Sequence, residues 1–425
     1  MYHLVFQRLA ESKAFPFFFF YVMDSIITQL TDQQAWEELL ARRLLRGCYT
    51  WRGFEEADRF VGEKLYLSVA QQIIQGENLG VPVKKTVNKM GSNKKRVVYT
   101  YGPDQMRALS LIAYLLYRYD HFFAPNCFAF RQGMRPQDTI RKVNRALDYQ
   151  PMWCYKLDIH NYFNSIPVEL LLPMLSEMLV DDKPLYRFFE RMLSDDHVMC
   201  NGEMILEKHG IMAGTPTSPF LANVYLNAVD HYFHDAGVVY ARYSDDIILF
   251  APDRDTLETY KATLLGFLQQ LRLEVNPDKE RIYAPEDPFE FLGFKCHGHD
   301  IDISKATVKK MKGKISRRTR SLMRCRKRKG IEAEKAMETL IRHFNRKFFE
   351  MDDPDTLTWS RWFFPVINKT EGLKEIDHYL QQQIRYLSTG KHGKANYRVD
   401  YATLKRLGYR SLVNEYYLTT HDTRN

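Results

Sequence analysis

The spacing of apolar residues predicts a chain that is helical near its N-terminus and mixed α and β in its middle. In residues 24–90, large apolar residues recur at helical spacing after a capping segment at 31–34. These residues are Trp36, Leu39, Leu40, Leu44 and Leu45. Further helices are predicted over residues 104–122 and 168–200.

Shorter runs rich in β-branched and aromatic residues predict strands between these helices. A basic turn at 91–93 leads into a strand at 94–100, and a second strand covers 153–157. Two β-rich runs within residues 238–250 meet at Tyr243-Ser244-Asp245-Asp246, which predicts a hairpin with adjacent carboxylates at its tip. A sheet interior would not hold two ionised Asp side chains without partners or a metal, whereas a hairpin tip beside a cleft can. Taken alone, the tetrapeptide is also compatible with an ordinary turn.

Composition indicates a large protein with a moderate positive charge. The chain has 425 residues, of which 45% are hydrophobic, so it can bury a large core and is expected to form two or three domains. Its formal net charge of +9 is compatible with acidic partners such as nucleic acid. The six cysteines are scattered without a CxxC pair, which argues against a disulfide framework or a zinc ribbon and fits a reducing compartment.

The positive charge is concentrated in one segment. Residues 305–329 contain thirteen Lys or Arg and no Asp or Glu, which exceeds the net charge of the whole chain. The segment is either a solvated helical face or disordered arm, or a track for phosphates, whose neutralisation releases counterions. We expect nucleic acid to contact Lys309, Lys310, Lys312, Arg317 and Arg318. Farther along the chain, Trp359, Trp362, Phe363 and Phe364 are interpreted as the core of a C-terminal helical domain.

An apolar stretch at residues 14–23 is too short to span a bilayer, which takes roughly 20 residues. It resembles a signal-peptide core, but no small-residue cleavage site follows it. A buried N-terminal segment, or residues upstream of a functional start at Met23, are the alternatives. We therefore expect a soluble cytoplasmic protein without membrane contact.

Two further segments give the hairpin a chemical context. Asp158 ends the apolar strand at 153–157, and with Asp245 and Asp246 it could form a site for two divalent ions about 4 Å apart. In the segment 210–226, Ser218 is the predicted N-cap of a helix that follows two glycines. An isolated segment of this kind would be interpreted simply as a well-capped helix.

In their order and spacing, these segments closely resemble the palm motifs of reverse transcriptases. Asp158 matches the aspartate of the first motif, residues 210–226 match the motif with glycines and Ser-Pro, and residues 243–246 match the Tyr-x-Asp-Asp box. Residues 273–279 resemble the next motif, and residues 291–294 resemble the primer grip. The resemblance covers roughly half of the chain.

The resemblance implies a metal site and a proton donor. Asp158, Asp245, Asp246 and Ile159 would hold two Mg²⁺ ions, for which Mn²⁺ is a possible substitute. Lys279 would protonate the departing pyrophosphate, although a Lys on a solvated face is the simpler interpretation.

The resemblance also implies contacts with nucleotide and nucleic acid. Phe163 stands at the steric-gate position, where an aromatic ring would exclude a ribose 2′-OH and so select deoxynucleotides. The predicted nucleotide-binding residues are Lys95, Arg96, Arg131, Phe163 and Gly214, and Lys94 is expected to assist Lys95 and Arg96. Arg131 could instead contact the template. Tyr243, Leu292 and Gly293 are predicted to bind nucleic acid.

Two local features receive separate interpretations. The family usually has Pro-Gln-Gly where this chain has Met212-Ala213-Gly214, which puts ordinary nucleotide handling or fidelity in doubt without removing a metal ligand. Cys296, His297 and His299 are not expected to bind a metal, because contiguous ligands in one turn lack a fourth partner elsewhere.

The expected fold is α+β, a right-hand polymerase with an antiparallel palm sheet and a helical thumb. The predicted divisions are an N-terminal helical extension (1–90), fingers (91–150), palm (151–295) and a basic helical thumb with the C-terminal region (296–425).

Missing signatures narrow the type of reverse transcriptase that the chain resembles. We expect no appended endonuclease after the thumb-sized region, and the Val-Thr-Gly segment of retron enzymes is absent from the sequence. Ser218-Pro219 replaces the Ser-Gln of diversity-generating retroelements, and residues 401–413 resemble the ends of stand-alone, defence-associated bacterial enzymes.

The predicted function is therefore an RNA-directed DNA polymerase that uses deoxynucleoside triphosphates to copy a dedicated, structured non-coding RNA into cDNA in antiphage defence. Two alternatives stay open: a retron-like or intron-derived polymerase with another role, and a nucleic-acid-binding protein with a degenerate palm. The sequence leaves the template, the priming mode and the oligomeric state open.

Overall fold

The structure, a computed structural model, describes residues 24–45, 51–88, 95–350, 358–391 and 393–422. The apolar stretch at 14–23, the predicted turn at 91–93 and Lys94 lie outside these residues.

The N-terminal segment forms a short helical layer, as predicted. Its helices are Gln33–Leu45, Trp51–Gly62 and Tyr66–Ile74, after a 3₁₀ turn at Thr28–Thr31. Trp36 is buried and stacks on Tyr66 with ring centroids 5.2 Å apart. The apolar periodicity overestimates burial at the end of the first helix, where Leu44 and Leu45 are exposed.

The first sheet, which we call the fingers sheet, has four strands: β1 (Val83–Asn88), β2 (Lys95–Thr100), β4 (His197–Cys200) and β5 (Glu203–Leu206). Their order in the sheet is β2-β1-β4-β5. Because β1 lies before residue 91, the helical prediction for residues 24–90 was wrong at its end, and the sheet extends into the predicted N-terminal extension. The helix predicted at 168–200 was wrong at its end, since helices Val168–Met178 and Lys183–Ser194 are followed by β4.

Further helices lie along the chain between and after these strands. The predicted helix at 104–122 is an α-helix, Pro103–Leu115, continued by a 3₁₀ helix at Leu116–Phe122. The remaining helices of this region are Pro136–Ala146, Tyr162–Ser165, Ser218–Asp235 and Arg254–Gln270.

The palm is an antiparallel sheet with the order β6-β7-β3-β8. Its strands are β6 (Tyr240–Tyr243), β7 (Asp246–Ala251), β3 (Trp153–Asp158) and β8 (Arg281–Tyr283). Side chains alternate between its two faces. Tyr155 and Leu249 pack into a core shared with the fingers and palm helices, whereas Cys154 and Phe250 pack into a second core shared with the C-terminal region.

The C-terminal region combines a small sheet with helices. Strands β9 (Phe289–Phe291), β10 (Phe294–His297) and β11 (Asp300–Ile303) form a three-stranded antiparallel sheet. The helices are Lys305–Lys329, Ala333–Phe349, Trp359–Phe363, Glu371–Thr389, Tyr401–Arg406 and Leu412–Asp422, with a 3₁₀ helix at Lys394–Arg398. Phe363 and Phe364 are buried in the second core, as expected, and Trp359 packs on Phe363 with ring centroids 4.6 Å apart.

Across the described ranges, no helix is both long and apolar enough to cross a membrane. The cysteines that the structure describes, Cys127, Cys154, Cys200, Cys296 and Cys325, are free thiols. The four divisions proposed from the sequence stay a prediction.

Candidate active site

The adjacent carboxylates lie at the tip of a tight hairpin. Strands β6 and β7 pair so that Tyr243 faces Asp246, which leaves Ser244 and Asp245 as the turn. Ser244 has a φ of +62°, a left-handed conformation that is uncommon for residues other than glycine. The hairpin therefore presents both carboxylates beyond the apolar part of the sheet.

The neighbouring strand β3 brings Asp158 to the same place. In the palm register Asp158 lies opposite Asp246, and the N–H of Ile159 donates to the carbonyl of Asp245 at 2.9 Å. Carboxylate oxygens of Asp158, Asp245 and Asp246 all lie within 4.8 Å of one another. The structure thus brings together the three residues predicted as metal ligands, in an arrangement that could hold a metal ion.

The three acids repel one another. Burial, together with the negative charges of Asp158 and Asp246, raises the pKa of Asp245 to about 6. Burial also raises the pKa of Asp246, although the Lys156 ammonium, 4.0 Å from its Oδ1, opposes the shift. A divalent cation would relieve this repulsion, and carboxylate oxygens are ligands that Mg²⁺ prefers.

Lys279 lies beside these acids. Its ammonium forms an ion pair with Oδ2 of Asp158. Burial lowers the pKa of Lys279, but the hydrogen bond to Asp158 and the charges of all three acids outweigh this effect, so the pKa is raised. The protonated form suited to a proton donor is therefore favoured at this position.

Sequence reasoning missed two residues around Asp158. Asn276 donates its backbone N–H to the Asp158 carbonyl at 2.8 Å and its side-chain amide to Oδ1 at 3.4 Å. Lys156 precedes Asp158 by two positions on β3 and so shares its face of the sheet. Lys156 could have been predicted from the alternation of side chains along β3, which places it on the same face as Asp158. Asn276 could not, because it meets Asp158 only through contact between distant segments of the chain.

Phe163 lies on the short helix Tyr162–Ser165, close to the carboxylate strand. It is half-buried and meets the ring of Phe130 edge-to-face, with centroids 6.1 Å apart. A Cβ on Gly210 would lie 2.6 Å from the Phe163 carbonyl, so only glycine allows this approach. The glycine of the 210–226 segment thus supports the backbone of the candidate gate.

Gly214 lies at the contact between this segment and the fingers. Ala213 accepts a hydrogen bond from the Tyr99 N–H at 2.8 Å, and a Cβ on Gly214 would lie 2.9 Å from the Tyr99 carbonyl. The Asn164 side chain accepts from the Ala213 N–H at 2.9 Å. Close packing against Tyr99 therefore requires glycine at position 214, independently of any contact with nucleotide.

The predicted N-cap at Ser218 was wrong by one residue. The helix Ser218–Asp235 has Thr217 as its N-cap, and Pro219 is the second helical residue. The Ser218 hydroxyl is buried and lies 2.6 Å from the Ile211 carbonyl and 2.7 Å from the Met212 carbonyl. Ser218 therefore fastens the preceding loop to the helix.

The predicted nucleotide-binding cations fall into two groups. Lys95 and Arg96 begin β2, are exposed and pair with Asn88 and Val87 of β1. Arg131 instead directs its guanidinium to the Asp120 carboxylate at 3.0 Å and to nearby backbone carbonyls, including that of Ala124 at 2.7 Å. In the structure Arg131 therefore fastens the 120–127 segment, and its contact with nucleotide or template stays a prediction.

The predicted primer grip is a tight turn between β9 and β10. Leu292 and Gly293 both have positive φ, +50° and +89°, as expected in a two-residue hairpin turn. The Gly293 carbonyl accepts from the N–H of Ser304, the N-cap of the helix Lys305–Lys329. Tyr243 and Leu292 are half-buried against the same second core.

The basic segment is one long helix, Lys305–Lys329, whose apolar side is buried. Lys309, Lys310 and Arg317 are exposed. Burial raises the pKa of Asp246, and the positive charge of Lys310 is among those that oppose this shift, as expected for a helix that begins near the candidate site. Lys312 is different, because its ammonium lies 2.5 Å from the Glu375 carboxylate.

A cluster of positive charge extends from this helix to its neighbour, Ala333–Phe349. Burial, followed by the charges of Lys347, Arg317 and Lys310, lowers the pKa of Lys314. Burial and the charges of Arg318, Lys347 and Arg346 likewise lower the pKa of His343. Lys314 and Lys347 were not predicted from the sequence, and their mutual repulsion favours an anionic partner.

Comparison with known proteins identifies the family. A family model described as reverse transcriptase (RNA-dependent DNA polymerase) matches residues 83–296, half of the chain. The chain belongs to the reverse transcriptase family. The match contains the three carboxylates, the candidate gate and β9, so it confirms the resemblance and the right-hand polymerase fold that the sequence predicted.

Curated relatives of this reverse transcriptase family member include bacterial proteins. Retron Ec83 reverse transcriptase of Escherichia coli is 28% identical over 151 residues, which cover 32% of this chain and 45% of the relative. Protein YkfC of Escherichia coli is 22% identical over 206 residues, which cover 38% and 54%. Retron Ec86 reverse transcriptase is 26% identical over 112 residues, which cover 25% and 35%. The chain thus spans about half the length, or less, of these relatives.

Among solved structures, the chain is similar to the telomerase of Candida albicans, solved in complex with a TWJ fragment of telomeric RNA. The TM-score is 0.44 with 13% identity, over 82% of this chain and 66% of that chain.

Proposed function

We propose that the protein is an RNA-directed DNA polymerase that copies RNA into cDNA from deoxynucleoside triphosphates. The observation that carries this proposal is the cluster of Asp158, Asp245 and Asp246, whose oxygens lie within 4.8 Å of one another in the part of the chain that matches the family model. The three acids repel one another, and such a site is suited to divalent cations.

The acids would hold two Mg²⁺ ions, or Mn²⁺ as a substitute, together with the carbonyl of Ile159. When bound, such ions lower the pKa of an attacking hydroxyl and neutralise charge on a leaving pyrophosphate. Lys279, already protonated beside Asp158, would donate a proton to that pyrophosphate. Lys156 opposes the raised pKa of Asp246 and so favours the charged form of this ligand.

Selection and binding would fall to residues around the acids. The Phe163 ring, supported by Phe130, would exclude a ribose 2′-OH. Lys95 and Arg96 are exposed at the start of β2 and would contact the triphosphate through charge-assisted hydrogen bonds. Tyr243, Leu292 and Gly293 would contact the primer strand.

The basic cluster would hold the RNA template and its duplex with cDNA. It begins beside Asp246 at Lys310 and continues through Lys314 and Arg317 toward Lys347. Contacts of this kind reach phosphates and carry no sequence information by themselves. This surface would therefore hold a nucleic acid through its backbone as it leaves the site.

Primer extension on an RNA template tests the polymerase proposal. Asp158→Asn should reduce deoxynucleotide incorporation by about a thousandfold or more, because a metal ligand is lost. Asp287→Asn, an exposed acid on a loop of the same chain, is the matched control and should extend primers like the wild type. Retention of most activity by Asp158→Asn would refute the assignment.

Nucleotide selection gives a second test. Phe163→Val should admit ribonucleotides while deoxynucleotide incorporation continues, because the smaller side chain leaves room for a 2′-OH. The measurement is the ratio of kcat/KM for a deoxynucleotide and its ribonucleotide. An unchanged ratio would show that Phe163 does not act as a steric gate.

We further propose that the template is a dedicated, structured non-coding RNA and that the activity serves antiphage defence in the cytoplasm. The support is the resemblance of the palm motifs and of residues 401–413 to defence-associated bacterial enzymes. Sequencing of nucleic acid that co-purifies with the protein should find one enriched cellular RNA and its complementary DNA. If neither an enriched RNA nor its complementary DNA were found, this part of the proposal would be refuted.

A second candidate is a retron-like or intron-derived polymerase with another biological role. The similarity to the Ec83 and Ec86 retron reverse transcriptases favours it. Phage challenge separates the two: cells with the wild-type gene, but not with Asp245→Asn, should survive under the defence proposal. Equal survival with an enriched RNA and cDNA would favour the second candidate.

A binding protein with a degenerate palm is the third possibility. If Asp245→Asn and Asp246→Asn changed neither primer extension nor any cellular phenotype, this interpretation would replace the enzyme.

A further inference from the structure

Beneath the Ser244–Asp245 turn lies a charged side chain to which the proposed function assigns no role, Arg242. It stands on β6, three residues before Asp245, and its side chain has no solvent exposure. A buried guanidinium is strongly unfavourable unless it is paired and hydrogen-bonded. Its partners therefore show which segments it fixes.

The main partner of Arg242 is Asp230, which is also fully buried. The Arg242 Nε donates to both carboxylate oxygens of Asp230, at 2.8 and 3.0 Å, and Nη2 donates to Oδ2 at 2.5 Å. Asp230 also accepts from the Tyr240 hydroxyl at 2.9 Å. Because Asp230 belongs to the helix Ser218–Asp235, the pair fixes β6 to that helix.

The other donors of the guanidinium reach the turn itself. Arg242 Nη1 donates to the Ser244 carbonyl at 3.4 Å and to the Asn223 side chain at 3.2 Å. Nη2 lies 3.1 Å from the Cys127 sulfur, and burial raises the pKa of this thiol to about 12, so the thiol is neutral. One side chain thus touches the turn, the palm helix and the segment that precedes Phe130.

The backbone of Arg242 strengthens the same junction. Its N–H donates to the Asn126 carbonyl at 3.0 Å, and its carbonyl accepts from the Phe128 N–H at 2.9 Å. Ser244, meanwhile, has a left-handed backbone, which needs support from its surroundings. The contact from Nη1 lies at this residue, between the buried pair and Asp245.

Stability alone does not explain the pair. Apolar residues often replace a buried ion pair without loss of stability, because both charges must leave water when the protein folds. A pair placed under a strained turn, with donors to three segments, instead suits the task of holding one geometry.

We propose that Arg242, held by Asp230, is a positioning residue that fixes the Ser244–Asp245 turn so that Asp245 shares one cation with Asp158 and Asp246. The inference rests on the proposed function, since that function supplies the cation site. Outer partners that orient metal ligands typically change metal affinity or activity by about 10–100-fold when they are removed.

The test is the double variant Arg242→Met with Asp230→Asn, which removes both charges and retains an acceptor for Tyr240. Mn²⁺ binding to the purified full chain is measured by electron paramagnetic resonance, and kcat and KM are measured by primer extension. We expect Mn²⁺ binding weakened by about tenfold or more and kcat reduced by a similar factor. The KM for deoxynucleotide should stay within about threefold, because nucleotide contacts are not removed.

The matched control is Arg118→Met with Asp182→Asn. This pair is largely buried, with Asp182 fully and Arg118 mostly withdrawn from solvent and 2.6 Å between Nη2 and Oδ2, but it fastens the N-terminal segment through Ser25. It should leave Mn²⁺ affinity and kcat unchanged. If the folded Arg242 double variant behaves like this control, the proposal is overturned.

Arg242→Lys covers the case in which the double variant does not fold. Lysine keeps the charge near Asp230 but lacks the planar fork that reaches Ser244 and Asn223. It should weaken Mn²⁺ binding in the same direction, and wild-type Mn²⁺ affinity in this variant would also overturn the proposal.

Mn²⁺ binding separates this inference from the proposed function. A wild type that binds Mn²⁺ through Asp245 but extends no primer would refute the polymerase and leave the positioning role to be decided by the Mn²⁺ affinities. A wild type whose Mn²⁺ binding does not depend on Asp245 would overturn the positioning role.

Discussion

Asp377 in the C-terminal region and Asp245 in the palm are both acids withdrawn from water, but their surroundings differ. Asp377 lies on the helix Glu371–Thr389 and is 5% exposed. Its carboxylate accepts four hydrogen bonds, from Tyr409 Oη at 2.8 Å, Ser411 Oγ at 2.6 Å, Leu412 N at 2.9 Å and Val413 N at 3.1 Å. These donors fasten the C-terminal helix to the rest of the region.

Asp245 instead faces other acids. Its oxygens lie within 4.8 Å of those of Asp158 and Asp246, and its pKa is raised to about 6 by burial and by those charges. Asp377 therefore stabilises the fold, whereas the charged form of Asp245 opposes folding until a cation joins it. In this protein a buried acid that faces other acids, as Asp245 does, marks the functional site.

The largest expected change in stability comes from Asp377, the acid whose carboxylate accepts four hydrogen bonds. Asp377→Ala should lower the free energy of unfolding by about 3 kcal/mol or more, because it leaves several buried donors without an acceptor. Denaturant unfolding measures this loss. Primer extension per folded molecule should be unchanged, and a large loss of kcat would break the comparison.

The palm acid should behave in the opposite way. In the absence of divalent ions at pH 7.5, Asp245→Asn should raise the free energy of unfolding by about 1–3 kcal/mol, because it removes one of the repelling charges. The same denaturant titration measures it. A destabilised Asp245→Asn would show that the acids support the fold.

The pH dependence of this gain follows from the direction of the pKa shift. The pKa of Asp245 rises from 3.8 in the unfolded chain to about 6 in the folded state, so the folded state binds the proton more tightly. The contribution of Asp245 to the free energy of unfolding should therefore fall as the pH rises from about 4 to 6, and the gain from Asp245→Asn should shrink to nothing below about pH 4. A gain that is constant over this range would contradict the shift.

The basic helix offers the same contrast among cations, with a smaller effect. Lys314 lies among positive charges, whereas Lys312 has Glu375 as a partner. In binding to an RNA–DNA duplex, Lys314→Gln should reduce the slope of log K against log salt by about 1, and Lys312→Gln should reduce it less. Equal reductions in this slope would show that both lysines contact phosphates and would contradict the contrast between them.

Local patterns in the sequence were sufficient for the hairpin, the strand before Asp158 and the basic helix. Alternation along β3 and β7 places Asp158 and Asp246 at matching ends of paired strands. The partner of Arg131 could not be predicted, because Asp120 lies eleven positions away on a 3₁₀ helix. Local spacing does not reveal such partners.

The same limit applies to the residues that the sequence did not single out. Asn276 reaches Asp158 across 118 positions, and Arg242 meets Asp230 only because β6 folds back on the preceding helix. Buried polar partners of this kind follow from tertiary packing and not from periodicity. Of the 210–226 segment, the sequence predicted the helix but not the role of Ser218 in fastening its loop.

Thermal unfolding of the wild type and Asp245→Asn, with and without Mn²⁺, tests the central claim that the palm acids form a cation site. Without the ion, Asp245→Asn should be the more stable protein. At an Mn²⁺ concentration about 100-fold above the dissociation constant, the free energy of unfolding of the wild type should rise by about 2.7 kcal/mol and that of the variant much less. The difference in stability between the two proteins should therefore shrink or change sign. Equal gains in the two proteins would contradict the account.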